Sequence, residues 1–431
     1  MTPDAQKIRT LVENNRELLL KTLEDLIRIP SENRSPAGDE AACQQYLAER
    51  LKATGYEYDL YPLNDVRELR GHPLSTPDRD YPDRPNLSTV RRGSGGGRSL
   101  ILSGHIDTVP RGTLPWTRDA FEAVREGDRI YGRGANDMKA GVAINLFVLQ
   151  MLDAMRLRLR GDVIFESVVD EEFGGVNGTL AARLRGSMAD AAIVTEPSSL
   201  RICAAQRGGR TVHLLFTASG GVLDGGPGAG VITQLKRFMD ELPNFANQRK
   251  RECKGHALYQ SDDPVPVTIT KITTGPWGTS EPITVPEECR VELYWQLMPG
   301  EEQADVDTEF QAWLDGLINA APDIFASAPT LTKAVRWLPG SAIEADEPLC
   351  VELADAAQEA NGTRPSVVGM EAPCDMFIFH RFGIPAVLWG PSGAGAHGSD
   401  EYVTISSMLD AAAALLLFTC RWCGVAGGPQ E

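Results

Sequence analysis

His105 and Asp107 follow the short apolar run Ser99 to Ser103, and in an extended chain both side chains point the same way. A carboxylate beside a histidine fixes the tautomer and orients the ring, as metal-binding imidazoles usually require. Asp170, Glu171 and Glu172 stand together after the apolar Val163 to Val169, and adjacent carboxylates repel one another unless cations sit among them. Glu196 follows Ile193-Val194-Thr195, and His397 lies in the Gly-rich segment Gly395 to Glu401, after the apolar Ala386 to Trp389. Asp137 occupies the polar turn Gly132 to Gly141, which leads into an apolar helix. Each segment alone has a plainer explanation: a surface turn around His105, a helix cap at Asp137, a solvated loop at the carboxylate triplet. Together, two histidines and at least three carboxylates suit a pair of zinc, cobalt or manganese ions, with one carboxylate shared between them.

Such a set needs a scaffold that gathers strand ends. Apolar residues at helical spacing predict helices over Asp4 to Ile29, stopped by Pro30, and over Asp39 to Thr54. Leu63 to Gly97 is rich in Pro, Arg, Asp and Gly, lacks periodicity, and predicts a long irregular excursion. A strand at Ser99 to Ser103, a helix at Ala140 to Ala154, a strand at Asp162 to Val169, a helix at Thr179 to Leu184 and a strand at Ala191 to Thr195 then alternate. That is the pattern of an α/β fold with a mostly parallel sheet and helices on both faces, whose sites form at the carboxyl ends of the strands. After Arg207 the texture changes. Strands near Thr211 to Phe216, Val265 to Ile272, Arg290 to Leu297 and Thr330 to Trp337, with helices at Val231 to Leu242 and Val306 to Ala320, predict an inserted α+β unit. The alternation resumes with Pro348 to Glu359 and Ile384 to Trp389. The expectation is a discontinuous metal-binding catalytic domain, residues 1–206 and 338–431, interrupted by an inserted domain, residues 207–337.

The chain has 431 residues, enough for two or three cores, with 42 Lys plus Arg against 59 Asp plus Glu and a net charge of −17. That balance repels a phosphate backbone and argues against a nucleic-acid partner. The first 30 residues lack the apolar core of a signal peptide, and the longest apolar candidate, Ala411 to Phe418, falls short of the roughly 20 residues of a membrane span. Eight scattered cysteines lack the spacing of a disulfide scaffold and fit a reducing cytoplasm. The CxxC at Cys420 and Cys423 follows an apolar helical run and has no second pair to complete a zinc site. Neither Gly93 to Gly97 nor Gly225 to Gly230 carries a nucleotide fingerprint, and Pro391-Ser392-Gly393 is no nucleophile elbow. His72, His213, His256 and His380 belong to no pattern and are expected to be structural or exposed.

Across nearly the whole chain these segments resemble the family of dinuclear zinc peptidases and deacylases that includes acetylornithine deacetylase, succinyl-diaminopimelate desuccinylase, aminoacylase and glutamate carboxypeptidase. The resemblance rests on Ser103-Gly104-His105-Ile106-Asp107-Thr108-Val109-Pro110, Tyr131-Gly132-Arg133-Gly134 with Asp137-Met138-Lys139, Asp170-Glu171-Glu172, Glu196-Pro197 and Ala396-His397, in that order. It implies two zinc ions, or cobalt or manganese in their place. His105 and Glu196 would bind one, Glu172 and His397 the other, and Asp137 would bridge them. It further implies Glu171 as general base, Asp107 as support for His105, and Asp375 as a further position near the metals. The inserted domain becomes a lid that makes a homodimer contact and helps to bind an N-acyl amino acid or small peptide.

Two positions depart from that pattern. Leu223 stands where the family commonly carries an oxyanion-stabilising His, and Gln296 where an Arg commonly grips a substrate carboxylate. Leucine donates no hydrogen bond, and losing one oxyanion donor typically costs about 10²- to 10³-fold in rate. Asp224 and Arg290 are the nearby candidates to compensate. The resemblance thus implies a cytoplasmic amide hydrolase. The alternatives are a catalytically degenerate binder of a small ligand or partner, and a hydrolase of carbamoyl or ureido bonds.

Overall fold

The computed structural model describes residues 3–218, 230–259, 265–275 and 285–426, apart from the side chains of 333–335. The chain divides into two compact units: residues 1–205, 342–370 and 374–431 in the first, and 206–341 with 371–373 in the second.

The first unit is built on a mixed sheet of β1 (Asp59–Pro62), β2 (Pro85–Arg91), β3 (Leu100–His105), β4 (Val163–Val168), β5 (Ala191–Val194), β6 (Ile202–Gln206), β7 (Val367–Met370) and β8 (Ala386–Leu388). Their order runs β6, β8, β5, β3, β4, β2, β1, with β7 also paired to β6. The four central strands β8, β5, β3 and β4 are parallel, and β1, β2 and β6 attach antiparallel at the flanks. β3, β4 and β5 are buried along their whole lengths, as strands covered by helices on both faces must be. Their carboxyl ends deliver His105, the 170–172 triplet and Glu196 to one edge of the sheet.

The expected irregular excursion contains β2, which pairs with both β1 and β4. Its polar side chains disguise it: buried Asn86 donates to the Gly178 carbonyl (2.7 Å) and accepts from the Val169 amide (3.0 Å), so its polarity is satisfied inside the core. Asn15 splits the expected opening helix into Ala5–Asn14 and Arg16–Arg28. The helix Ala140–Ala154 begins with Gly141 against β5, where a Cβ would lie 2.1 Å from the Thr195 carbonyl oxygen. The carboxyl-terminal helix Ile405–Cys423 is, by length and composition, apolar enough to cross a membrane, longer than the sequence run Ala411 to Phe418 suggested. It is instead a core helix, almost wholly buried, and carries Cys420 and Cys423 inside the unit.

The second unit is a four-stranded antiparallel sheet, ordered Val267–Thr274, Glu288–Leu297, Gly208–Thr217, Thr330–Leu338, packed with the helices Val231–Glu252 and Gln303–Ala320. Phe245 meets Trp295 edge-on at 5.9 Å and Trp295 stacks on Phe310 at 5.1 Å, forming an aromatic core. The first helix was expected to stop at Leu242, before Pro243, and instead continues to Glu252. Proline removes one helical hydrogen bond. Beyond it, however, Phe245 is buried and Arg249 binds Glu301 (2.7 Å) and Glu309, so tertiary contacts outweigh the local break.

Candidate metal centre

His105, the last residue of β3, is 2% exposed. Its Nδ1 lies 2.9 Å from the main-chain carbonyl of Asp107, which fixes the ring and turns Nε2 toward three carboxylates. Those are Asp137 at 3.1 Å, Glu196 at 3.5 Å and Glu171 at 3.9 Å. His397 approaches from the opposite side, its Nε2 at 3.2 Å from the second oxygen of Asp137 and 3.1 Å from Glu172. The ligand atoms form two groups, His105 with Glu171 and Glu196, and Asp137 with Glu172 and His397, each gathered within 4.8 Å. Asp137 faces both histidines, one oxygen to each.

Local backbone explains these placements. Asp137 does not cap the following helix, whose N-terminus lacks a side-chain cap; it breaks helical geometry at φ −118°, ψ 97° and turns its carboxylate inward. His397 sits at φ +64° in a loop where Gly395 also has positive φ, the left-handed region that glycine enters at no steric cost. Glu172 also accepts from the Val109 amide at 3.1 Å.

Asp107 was expected to orient His105 through its carboxylate. Its carbonyl makes the 2.9 Å contact, while the nearer carboxylate oxygen lies 3.6 Å from Nδ1. The carboxylate accepts from the amides of Glu171 (3.2 Å) and Glu172 (3.0 Å) and from Asn33 Nδ2 (2.9 Å). Asp107 therefore shapes the loop that presents Glu171 and Glu172. Asp375 is buried nearby and accepts from the Thr179 hydroxyl.

The electrostatics are those of a crowded anionic pocket. Burial pushes the Glu171 carboxyl well above its ordinary range, opposed by His105 and reinforced by the charges of Glu196, Asp375 and Glu172. Burial raises Glu196 to about 7 despite His105. Against burial, hydrogen bonds from His105 and His397 hold Asp137 below its ordinary value. Hydrogen bonds to Asp137 and Glu172 raise His397 to about 10. Two imidazoles do not neutralise buried Asp107, Glu172, Glu196 and Asp375 together with the mostly covered Asp137 and Glu171, and divalent cations are the physical remedy. The nitrogen and oxygen donors suit zinc, cobalt or manganese.

Motif reasoning missed Glu401, four residues past His397. Its buried carboxylate accepts from the amides of Gly134, Asn136 and Asp137, each at 2.9 Å, and from Arg133 at 2.6 Å. It also missed Lys139, whose buried ammonium donates to the carbonyls of Leu26 and Ile29 at 2.8 Å, tying the turn after Asp137 to the end of an opening helix. In the second unit, Gln296 accepts from Arg207 Nη1 at 2.6 Å, and that guanidinium lies 5.2 Å from the centre of the Tyr259 ring. Arg290 is exposed beside Glu288 (3.4 Å). Leu223 and Asp224 lie outside the described residues.

The model of Peptidase family M20/M25/M40 matches residues 101–420. An N-formyl-4-amino-5-aminomethyl-2-methylpyrimidine deformylase of Halalkalibacterium halodurans is 28% identical over 446 residues, covering 96% of each chain. A succinyl-diaminopimelate desuccinylase of Leptothrix cholodnii is 28% identical over 408 residues, covering 90% of this chain and 94% of its own. Among solved structures, a dipeptidase of Saccharomyces cerevisiae superposes with a TM-score of 0.77 at 13% identity, over 98% of this chain and 99% of that one, a likeness of fold.

Proposed function

Since this chain belongs to peptidase family M20/M25/M40 and is a metal-dependent hydrolase of carbon–nitrogen bonds, we propose that it removes the acyl group from a small N-acyl amine or N-acyl amino acid with two zinc ions. His105 and Glu196 would hold one ion and Glu172 and His397 the other, with Asp137 facing both. The observation that carries this reading is the pair of contacts from one carboxylate to two histidines, Asp137 to His105 at 3.1 Å and to His397 at 3.2 Å.

Ions held there would supply Lewis acidity for the carbonyl and lower the pKa of water toward neutral. Glu171 Oε2, 3.9 Å from His105 Nε2, would take a proton from the attacking water and pass it to the departing nitrogen. Asp107 keeps Glu171 in place by binding its main chain. Burial of the carboxylates keeps bulk water from screening these charges.

Two substrate classes compete. N-acyl amino acids follow the wider resemblance. N-formylated aminomethyl heterocycles are favoured by the deformylase, which matches over 96% of both chains, and by Gln296 at the place of a carboxylate-gripping arginine. Release of amine should be measured on N-acetyl, N-succinyl and N-formyl substrates, with and without a carboxylate beside the scissile bond. Turnover of at least one with zinc loaded is the expected result; no turnover of any by metal-loaded protein overturns the reading. We further propose that the second unit makes a homodimer, testable by light scattering, and that eight free thiols suit a cytoplasmic enzyme.

A further inference from the structure

Arg133 and Glu401 form an ion pair in which both side chains are 1% exposed. Such a pair contributes little net stability against an apolar replacement, so stability alone does not account for it. Glu401 spends all its acceptor capacity on one short segment: Oε2 binds Gly134 N and Arg133 Nη1, while Oε1 binds Asn136 N and Asp137 N. Arg133 then reaches outward with Nη2, to the Gly398 carbonyl at 2.9 Å and the Pro110 carbonyl at 3.4 Å. The Gly132 amide donates to the Glu401 carbonyl at 2.9 Å and closes the unit. Three loops meet here: the one carrying Asp137, the one carrying His397, and the one leaving His105 and Asp107.

The two halves of the metal centre do not depend on this clamp equally. His105 ends a central strand, and Glu196 lies one residue beyond Thr195, whose amide binds the Ser103 carbonyl at 3.1 Å. Neither makes a hydrogen bond to Arg133 or Glu401 among the described residues. His397 lies off the main sheet, in the loop joining the short antiparallel strands Gly393–Ala394 and Tyr402–Thr404; its side chain is 58% exposed and its backbone is left-handed, as is that of Asp400. An exposed residue in that conformation, roughly 1 to 2 kcal/mol above the right-handed one, stays put only if its surroundings hold it. The contacts from Arg133 to Gly398 and from Glu401 to Asp137 do so from the side of Asp137, beside the bond from the Thr117 amide to Asp400 at 2.9 Å.

We infer that Arg133 and Glu401 are positioning residues that set His397 against Asp137, and so build the His397 half of the metal centre while leaving the His105 half to the sheet. This rests on the two-metal reading above. The consequence is an asymmetry: damage to the clamp weakens the ion at His397 more than the ion at His105, which shares Asp137 but keeps two side chains placed by the sheet.

The test is metal binding by Glu401→Gln, a near-isosteric change that turns an amide group against main-chain N–H donors. Competition with a chromophoric chelator and elemental analysis after dialysis give the affinity of each zinc ion, and circular dichroism checks folding. Wild type should bind two ions. Glu401→Gln should weaken the second ion about 10- to 100-fold and the first by clearly less, with kcat restored at high zinc. Equal affinity for both ions in variant and wild type, or equal weakening of both, overturns the inference. Fewer than two ions on wild type overturns the two-metal reading instead. Should Glu401→Gln fail to fold, Arg133→Lys keeps a cation for Glu401 but cannot also bridge Gly398 and Pro110. The same selective loss is expected there, and unchanged binding of both ions refutes the clamp.

Discussion

Asp107→Asn separates the support of the metal-binding loop from the metal contacts themselves. The carboxylate accepts three hydrogen bonds, from the amides of Glu171 and Glu172 and from Asn33, in a fully buried position. Asparagine has one acceptor oxygen, so its amide group must face an N–H donor on one side. One bond to a charged acceptor, about 1.5 to 3 kcal/mol, is lost. In the ion-free protein the loss is partly offset, because the charge of Asp107 also repels those of Asp170 and Asp375. In the metal-loaded protein that relief is opposed, since the same charge attracts the cations. The penalty should therefore show in metal affinity more than in apo stability: about 2 kcal/mol, or about 30-fold weaker zinc binding. Isothermal calorimetry against a chelator gives the affinity, and thermal unfolding of the dialysed protein gives the apo stability. Wild-type zinc affinity in a folded variant would refute the reasoning.

Glu171→Gln should lower kcat by about 10²- to 10⁴-fold with zinc content unchanged; steady-state kinetics on metal-analysed protein is the check, and loss of zinc would mean that Glu171 is a ligand. Arg84→Leu removes the partner of Glu40, with both side chains buried and Nη2 2.6 Å from Oε1. Burial already raises Glu40 to about 7, and stranding it should cost about 3 to 5 kcal/mol in urea denaturation. Gly141→Ala drives a Cβ to 2.1 Å from the Thr195 carbonyl beside Glu196 and should cost about 1 to 3 kcal/mol in the same assay. Gly316→Ala, on a helix with open space around it, should instead be neutral or stabilising by up to about 1 kcal/mol.

The sequence carried the order of the chemical segments because each is bound to a local pattern: an apolar strand, then a polar residue at its mouth. His105, Glu172 and Glu196 are visible in that way, and the parallel centre of the sheet with them. What stayed hidden depends on contacts distant in sequence. Glu401 and Arg133 are 268 residues apart and meet only in the folded chain. Asp107 was found, but the work of its carboxylate was not, since its partners are main-chain amides of a loop 64 residues away. Strand β2 was concealed by Asn86, a polar residue whose burial makes sense only beside Gly178 and Val169. The helix read as Val231 to Leu242 runs on past Pro243 to Glu252, because tertiary contacts of Arg249 hold its end. Gln296 was singled out for the arginine it replaces, whereas Arg207, which it holds, drew no notice.

In the proposed centre one carboxylate, Asp137, joins two metal ions held by His105 and His397. Anomalous scattering from crystals grown with zinc tests it most directly. The account predicts two peaks per chain, one against His105 and Glu196 and one against His397 and Glu172, with Asp137 touching both. A single peak, or two peaks that do not share Asp137, would contradict it.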